Sequence, residues 1–249
     1  MSLIPASLQT SHAAVAMAAR EKACQSCAAR TLSICGALPT DHLGRLAMMR
    51  APQHLEPGET FLNEGDPATH YLNITAGAVK VYKLLPDGRR QITGFLFAGD
   101  LLGLAFNDTY TYSAEALTPV TVCRFPRRQL ERLLEEFPAV ERRLLAMASN
   151  ELAAAQEQMV LLGRKTAQER IASFLLTLLR RGQRLGRSAE RVKLPMTRAD
   201  IGDYLGLTTE TVSRAFTNLR RCGCIALEGA CNVHLLDRDR LEELAEGGE

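Results

Sequence analysis

The sequence predicts an α+β chain: an all-β barrel or sandwich, then helices, then a C-terminal helix-turn-helix followed by a hairpin. Three observations carry this reading. Between Leu55 and Phe125, turn signals recur at intervals of about ten residues among short apolar runs. After Pro138 an apolar spacing of threes and fours takes over. The stretch MTRADIGDYLGLTTETVSRAFTNLRRCG, residues 196–223, has the grammar of two short helices joined by a glycine turn.

The bulk numbers agree. A chain of 249 residues is long enough for one large or two ordinary domains, and 46% hydrophobic with 23% charged residues is a globular balance. The longest apolar run, AAVAMAA at 13–19, falls far short of the roughly 20 residues of a spanning helix, and no Lys or Arg precedes it as in a secretory signal. A cytoplasmic chain with no membrane partner is expected. There, disulfides are disfavoured and clustered cysteines point to metal or redox chemistry. Residues 164–222 hold 13 basic and 5 acidic residues, a net +8, inside a chain of net +2. A basic block of that kind suggests a polyanion partner, nucleic acid ahead of membrane.

In chain order, residues 1–22 carry weak structural signals, and CQSCAARTLSIC then places Cys24, Cys27 and Cys35 in one short segment. Three thiols suffice for three metal bonds and are too few for paired disulfides. Cys24-x-x-Cys27 as a redox pair lacks the βαβ setting that would support it. The β region contains EPGE, NEGDP, TAGA, LPDGR and FAGD as turns, and Pro86-Asp87-Gly88 marks a hairpin. A short helix is predicted at 127–136, punctuated by Pro138. Leu145, Ala148, Leu152, Ala155, Met159 and Leu162 then form a heptad seam, preferred as a parallel dimer seam because a monomer's core helix shows a wider apolar face. AQERIASFLLTLLRR (167–181) reads as an amphipathic helix and GQRLGRS as a loop. The domains so drawn are 1–36, 37–137, 138–166 and 167–249.

Within the last domain, Thr197 caps a first helix with Ile201 and Leu205 on its apolar face, and Gly206 lets the chain leave it sharply. Thr208 caps a second helix that buries Val212, Phe216 and Leu219. On the opposite face Glu210, Ser213 and Arg214 stand at i, i+3 and i+4. Arg can pair with guanine, a carboxylate can accept from the cytosine amino group, and Ser serves either role. Thr208 and Thr211, at the helix start, suit phosphate contacts. An exposed Glu210–Arg214 pair alone would be worth only ~0.3–0.5 kcal/mol. CIALEGACNVHLL reads as a hairpin turning at Glu228-Gly229, which after a helix-turn-helix makes a wing. Zinc on Cys222, Cys224, Cys231 and His234 is the other reading there; the C-x-C spacing in alternating strands fits small packed residues better. No P-loop, H-E-x-x-H or G-x-S-x-G pattern supports an enzyme.

TTETVSRAFTNLRRCG, LLGRKTAQERIASFL and the segment ending VTVCRFPRR together resemble the Crp/Fnr transcription regulators, in the same order over nearly the whole chain. The E-x-x-S-R pattern of Glu210, Ser213 and Arg214 is similar to the Fnr branch, whose half-site is TTGAT. The resemblance implies a β-roll sensor domain of the cyclic-nucleotide-binding type, a long dimerisation helix and a winged helix-turn-helix. It implies a homodimer on palindromic double-stranded DNA, with RNA polymerase as a further partner. It also implies an oxygen-labile [4Fe–4S] cluster held by Cys24, Cys27, Cys35 and Cys123. The C-x2-C-x7-C spacing resembles the FnrL/FnrN type rather than the C-x2-C-x5-C of the enteric type. In TPVTVCRF, Val120 and Val122 take one face and Thr121 and Cys123 the other. Each iron of a cubane binds one thiolate, so four are needed; zinc suits four thiolates equally. The cyclic-nucleotide branch needs an acid after a glycine and an Arg-Ser or Arg-Thr pair. Here Leu104 follows Gly103 and Tyr112 precedes Ser113, so no cyclic nucleotide is expected. The function expected is an oxygen-responsive regulator. The alternatives are a metal- or thiol-sensing regulator without a cluster and, remotely, a Cys-x-x-Cys redox enzyme.

Overall fold

Alternating burial along the strands builds the N-terminal half. The computed structural model describes residues 17–104, 108–186, 188–229 and 231–248. They group into two units, one comprising residues up to 82 with 95–149, the other 83–94 with 150–249.

The N-terminal half contains two four-stranded sheets, ordered β1-β8-β3-β6 and β2-β7-β4-β5, all in the first unit apart from the end of β4 and the start of β5. Their strands are β1 (Ala51–Leu55), β2 (Thr60–Leu62), β3 (His70–Ala76), β4 (Ala78–Leu84), β5 (Arg90–Phe97), β6 (Leu101–Leu102), β7 (Ser113–Ala116) and β8 (Val120–Pro126). Strand β8 pairs antiparallel with both β1 and β3. Leu72, Ile74, Val120 and Val122 join Val79 and Val81 in one buried core drawn from both sheets. The other face of β3 and β8 carries Tyr71 and Phe125 into a second core with helical residues Leu43, Leu46, Leu130, Leu133 and Val140. The period of two thus gives each strand two jobs.

The helices of this unit are α1 (residues 17–25), α2 (Leu43–Met49), α3 (Arg127–Glu136) and the start of α4 (Pro138–Arg164). Pro138 stands at the first position of α4, where its missing N–H costs nothing. Helix α1 corrects the expectation of weak structure up to residue 22: residues 17–22 are helical, and 1–16 lie outside the described residues.

The second unit holds the rest of α4 with α5 (Ala167–Arg184), β9 (Arg191–Lys193), α6 (Arg198–Leu205), α7 (Thr209–Arg221), β10 (Ile225–Glu228), β11 (Asn232–Leu235) and α8 (Arg238–Ala245). A Thr166–Glu169 capping box starts α5. Helix α5 runs on to Arg184, so the expected loop at 182–188 is shortened. Gly182 costs about 1 kcal/mol inside a helix, which burial of Leu175, Leu178 and Leu179 on the same helix outweighs. Phe174, Leu175, Leu205, Phe216, Leu219 and Leu241 are all buried in this unit. The buried side of α5 faces α7 and α8. Arg170 donates to the carbonyls of Leu162, Lys165 and Leu205 at 2.8–2.9 Å, satisfying acceptors at the ends of α4 and α6. Strand β9 adds to the predicted hairpin to give the order β10-β11-β9. In residues 83–94, which group with this unit, Arg90 pairs with Asp200 at 3.2 Å and Asp203 at 2.9 Å. Among the described residues, no helix is long and apolar enough to cross a membrane.

Candidate thiol centre and nucleic-acid interface

Cys24 lies in the last turn of α1, and Cys27 follows through a turn in which its N–H donates to the Cys24 carbonyl at 3.4 Å. Buried Ser33 then caps a 3-10 turn at Ile34–Ala37 by accepting from the N–H of Cys35 at 3.3 Å. Cys123 reaches the same place from mid-strand in β8. Cys24, Cys35 and Cys123 all pack against the second core. The segment seats closely: a Cβ on Gly99, whose φ is +99°, would stand 2.6 Å from Cβ of Leu32, so only glycine admits the contact.

Three of the thiols, Cys24, Cys35 and Cys123, are perturbed by where they sit. Burial pushes the Cys35 thiol up to about 11, against the bond near Ser33 and with added repulsion from Cys123, Cys24 and Cys27. Burial likewise raises Cys123 and Cys24, opposed in both by the Arg50 guanidinium. Arg50 Nη1 lies 3.8 Å from Cys123 Sγ, and Nη2 lies 3.5 Å from the Arg20 carbonyl. Its Nε is buried without a partner, a state that costs ~1–3 kcal/mol when no acceptor arrives. Arg143, on α4, donates to the carbonyls of Leu32 at 2.9 Å and Thr31 at 3.4 Å, tying the cysteine segment to that helix. Arg50 beside the thiols and Arg143 on the segment's carbonyls carry no sequence signal, because nothing in composition marks which basic residues meet this segment.

Among the described residues, no group of three or more His, Cys, Asp or Glu stands ready to hold a metal ion. The donor set is nonetheless all thiol, with a cation beside it, and suits a polynuclear iron centre in which each thiolate takes its own iron. The alternative cysteines do not gather. Cys222 and Cys224 sulfurs are 3.2 Å apart, and Cys224 is fully buried with its thiol pushed up to about 12, first by burial. Cys231 is exposed, which corrects its reading as a packed residue.

In the second unit, Thr197 and Asp200 form a capping box at α6, and Gly206 ends it in the left-handed region at φ 63°. Thr208 caps α7 by accepting from the Thr211 N–H at 3.2 Å. Val212, Ala215, Phe216 and Leu219 are buried, while Glu210, Ser213 and Arg214 are exposed on the other side. The Ser213 hydroxyl donates to the Thr209 carbonyl, leaving its oxygen free to accept. Glu210 is held below the usual carboxylate range by its own backbone N–H, then by Thr208 and by Arg214. Arg198 stacks on the Phe216 ring at 3.5 Å, fixing the start of α6 against α7.

Along α4, Leu145, Leu152 and Met159 are 70%, 61% and 66% exposed. Ala155 is exposed, and Ala148 and Leu162 are half-buried. An apolar stripe at seven-residue intervals on an open helix face is what a coiled-coil seam presents.

The fold defines a winged helix-turn-helix protein with an N-terminal β domain. Residues 52–137 match the cyclic nucleotide-binding domain, and residues 169–244 match the Crp-like helix-turn-helix domain. The chain is 44% identical over 222 residues to the nitrogen fixation regulation protein FixK of Bradyrhizobium diazoefficiens, covering 89% of this chain and 93% of that one. It is 39% identical over 227 residues to the transcriptional activator protein Anr of Pseudomonas aeruginosa, covering 90% and 93%. It is 37% identical over 226 residues to the transcriptional activator protein FnrL of Cereibacter sphaeroides, covering 89% and 91%. The structure of FixK2 from Bradyrhizobium japonicum aligns with a TM-score of 0.74 at 42% identity, covering 78% of this chain and 96% of that one. The chain therefore belongs to the Crp/Fnr family of transcription regulators and is not an enzyme.

Proposed function

We propose that the chain is an oxygen-responsive activator of transcription that holds a [4Fe–4S] cluster through Cys24, Cys27, Cys35 and Cys123 and reads palindromes of TTGAT half-sites as a homodimer. The observation that carries this reading is the arrival of Cys123, from mid-strand in β8, at the core against which Cys24 and Cys35 also pack. That relatives named as transcriptional activators cover nine-tenths of the chain supports the regulatory part. When bound, such a cluster supplies lability toward oxygen.

The chain's own residues supply the rest. Cys24, Cys27 and Cys35, sharing one cluster with Cys123, would hold the N-terminal segment on the β8 side of the sheet. Through Leu32 and Thr31 the segment holds Arg143, and with it the first turns of α4. The exposed stripe of α4 then meets its twin. Small Ala148 and Ala155 keep the seam weak enough to respond. Moving such an equilibrium from 1:99 to 99:1 takes only about 5.5 kcal/mol. In the dimer the two α7 helices enter successive major grooves about one helical turn apart. Arg214 pairs with guanine, Glu210 accepts from cytosine, Ser213 serves either base, and Thr208 and Thr211 meet phosphates. An activator of this kind works in the cytoplasm with RNA polymerase as its partner. No cyclic nucleotide enters the reading: the Gly103 N–H already donates to the Tyr112 hydroxyl at 3.0 Å, at the point where that branch carries its binding pattern.

The test is iron and sulfide content after anaerobic purification. Cys123→Ser is expected to lose both as completely as Cys24→Ser; a Cys123→Ser chain loaded like the parent overturns the tetrad. A metal- or thiol-sensing regulator without a cluster is the second reading, because an all-thiol donor set suits zinc as well as it suits iron. Stoichiometric zinc in air-purified protein, with DNA binding insensitive to oxygen, would establish it.

A further inference from the structure

Among the described residues, two buried side-chain polar atoms have no hydrogen-bond partner: Nε of Arg50 and Oδ1 of Asn73. Protein interiors pair nearly every such atom, and exceptions concentrate where something functional is to be met. Both of these flank Cys123. Asn73, only 1% exposed, stands directly opposite Cys123 in the β3–β8 register, so the two side chains leave the same face of the sheet. Arg50 immediately precedes β1, whose Pro52 opposes Cys123 from the other side. The guanidinium is 3.8 Å from the Cys123 sulfur. Its charge also acts on Cys24, so one cation serves a thiol from the N-terminal segment and a thiol from the sheet. The planar fork of Arg can do this while still holding the Arg20 carbonyl, which the point charge of a Lys cannot.

We propose that Arg50 is the hydrogen-bond donor beside the metal-bound sulfur of Cys123 and offsets the charge of the four thiolates, so setting the potential at which the centre is oxidised; the Asn73 amide oxygen, which can only accept, lies on the same face without serving the sulfur. This inference rests on the function proposed above. Hydrogen bonds to the sulfurs and net local charge are the levers by which a protein moves the potential of an iron–sulfur centre. A cation in a poorly hydrated pocket favours the more reduced, more negative state, so it raises the potential and slows oxidation. Arg50 is a positioning residue here, acting through the ligand sulfur.

The experiment uses the full chain, loaded anaerobically, as the parent and as Arg50→Met, Arg50→Lys and Asn73→Leu. Iron and sulfide content, midpoint potential, lifetime in air and the melting temperature of the cluster-free form are measured for each. Arg50→Met is expected to lower the midpoint potential and to shorten the lifetime in air about tenfold or more. Arg50→Lys should recover part of both, and Asn73→Leu, which removes only an acceptor, should lower neither. The cluster-free Arg50→Met chain should melt close to the parent, since removing the unpartnered buried Nε offsets the loss of the long contacts to Cys123 Sγ and the Arg20 carbonyl. Unchanged potential and lifetime in Arg50→Met would overturn the inference alone, leaving the cluster in place. A cluster-free Arg50→Met chain that melts well below the parent would also overturn it, by making Arg50 a scaffold residue. A parent chain that takes up no iron would overturn the proposed function and this inference together.

Discussion

Glu210 and Arg214 leave α7 in its first two turns and point into solvent, and the local hydrogen bonds keep the Glu210 carboxyl ionised well below neutral pH. As an acceptor only, it can meet an amino group of a base and repels an acceptor edge. Arg214→Ala is expected to cost ~1–3 kcal/mol of discrimination against a half-site altered at the base it reads. Titrating the parent and the variant against the intact and altered operators measures it, and an equal loss on every DNA would show that Arg214 meets only phosphate. The thiols offer a second check. Burial holds Cys35 protonated up to about pH 11, so in metal-free protein its alkylation should be slow near neutrality and should accelerate as pH rises toward that value. Peptide mapping of alkylated protein at several pH values reads this directly; fast modification at neutral pH would mean the segment is not seated. The four cysteines and the E-x-x-S-R face were legible in sequence because their chemistry demands those residue types. Arg50, Asn73 and Arg143 were not. Each is one of many alike, and only strand register or a turn's close approach brings Arg50 and Asn73 beside Cys123 and Arg143 to the Leu32 carbonyl.

At the scale of the element, capping chemistry was the most transparent part of the chain. Thr197, Gly206 and Thr208 mark the helix ends where expected, because orphan backbone groups leave few ways to finish a helix. Gly206→Ala tests this cleanly. The nearest atoms to the added Cβ are 3.5 Å away, ordinary contact, so its cost is the left-handed backbone alone, about 1–2 kcal/mol. Urea denaturation of the parent and the variant measures it, and no loss of stability would contradict the αL assignment. The α4 stripe gives the complementary case. Leu152 is 61% exposed in the single chain, so Leu152→Glu should leave folding intact while weakening dimerisation about tenfold or more, each factor of ten being about 1.4 kcal/mol. Analytical ultracentrifugation beside a thermal melt separates the two effects; a variant that dimerises like the parent would move the seam elsewhere. Strand β9 and the extra turn of α5 escaped the sequence reading for opposite reasons. Three residues, RVK, are too short for an alternation to show, and Gly182 reads as punctuation although the helix passes through it.

For the molecule as a whole, the succession of β sensor, long helix and winged helix-turn-helix was legible because hydrophobic period, turn residues and charge change together along the chain. The grouping of residues 83–94 with the C-terminal unit was not, since the Arg90 pairs with Asp200 and Asp203 join positions more than a hundred residues apart. The link that function requires runs from the thiols through Leu32 and Arg143 into the helix bearing the seam. Its direct test follows absorption and operator binding in one anaerobic sample as air is admitted. The account predicts coloured protein with about four irons per chain whose colour and operator affinity fall together, and whose dimer weakens over the same interval. Colourless, iron-free protein that binds the operator equally with and without air would contradict it.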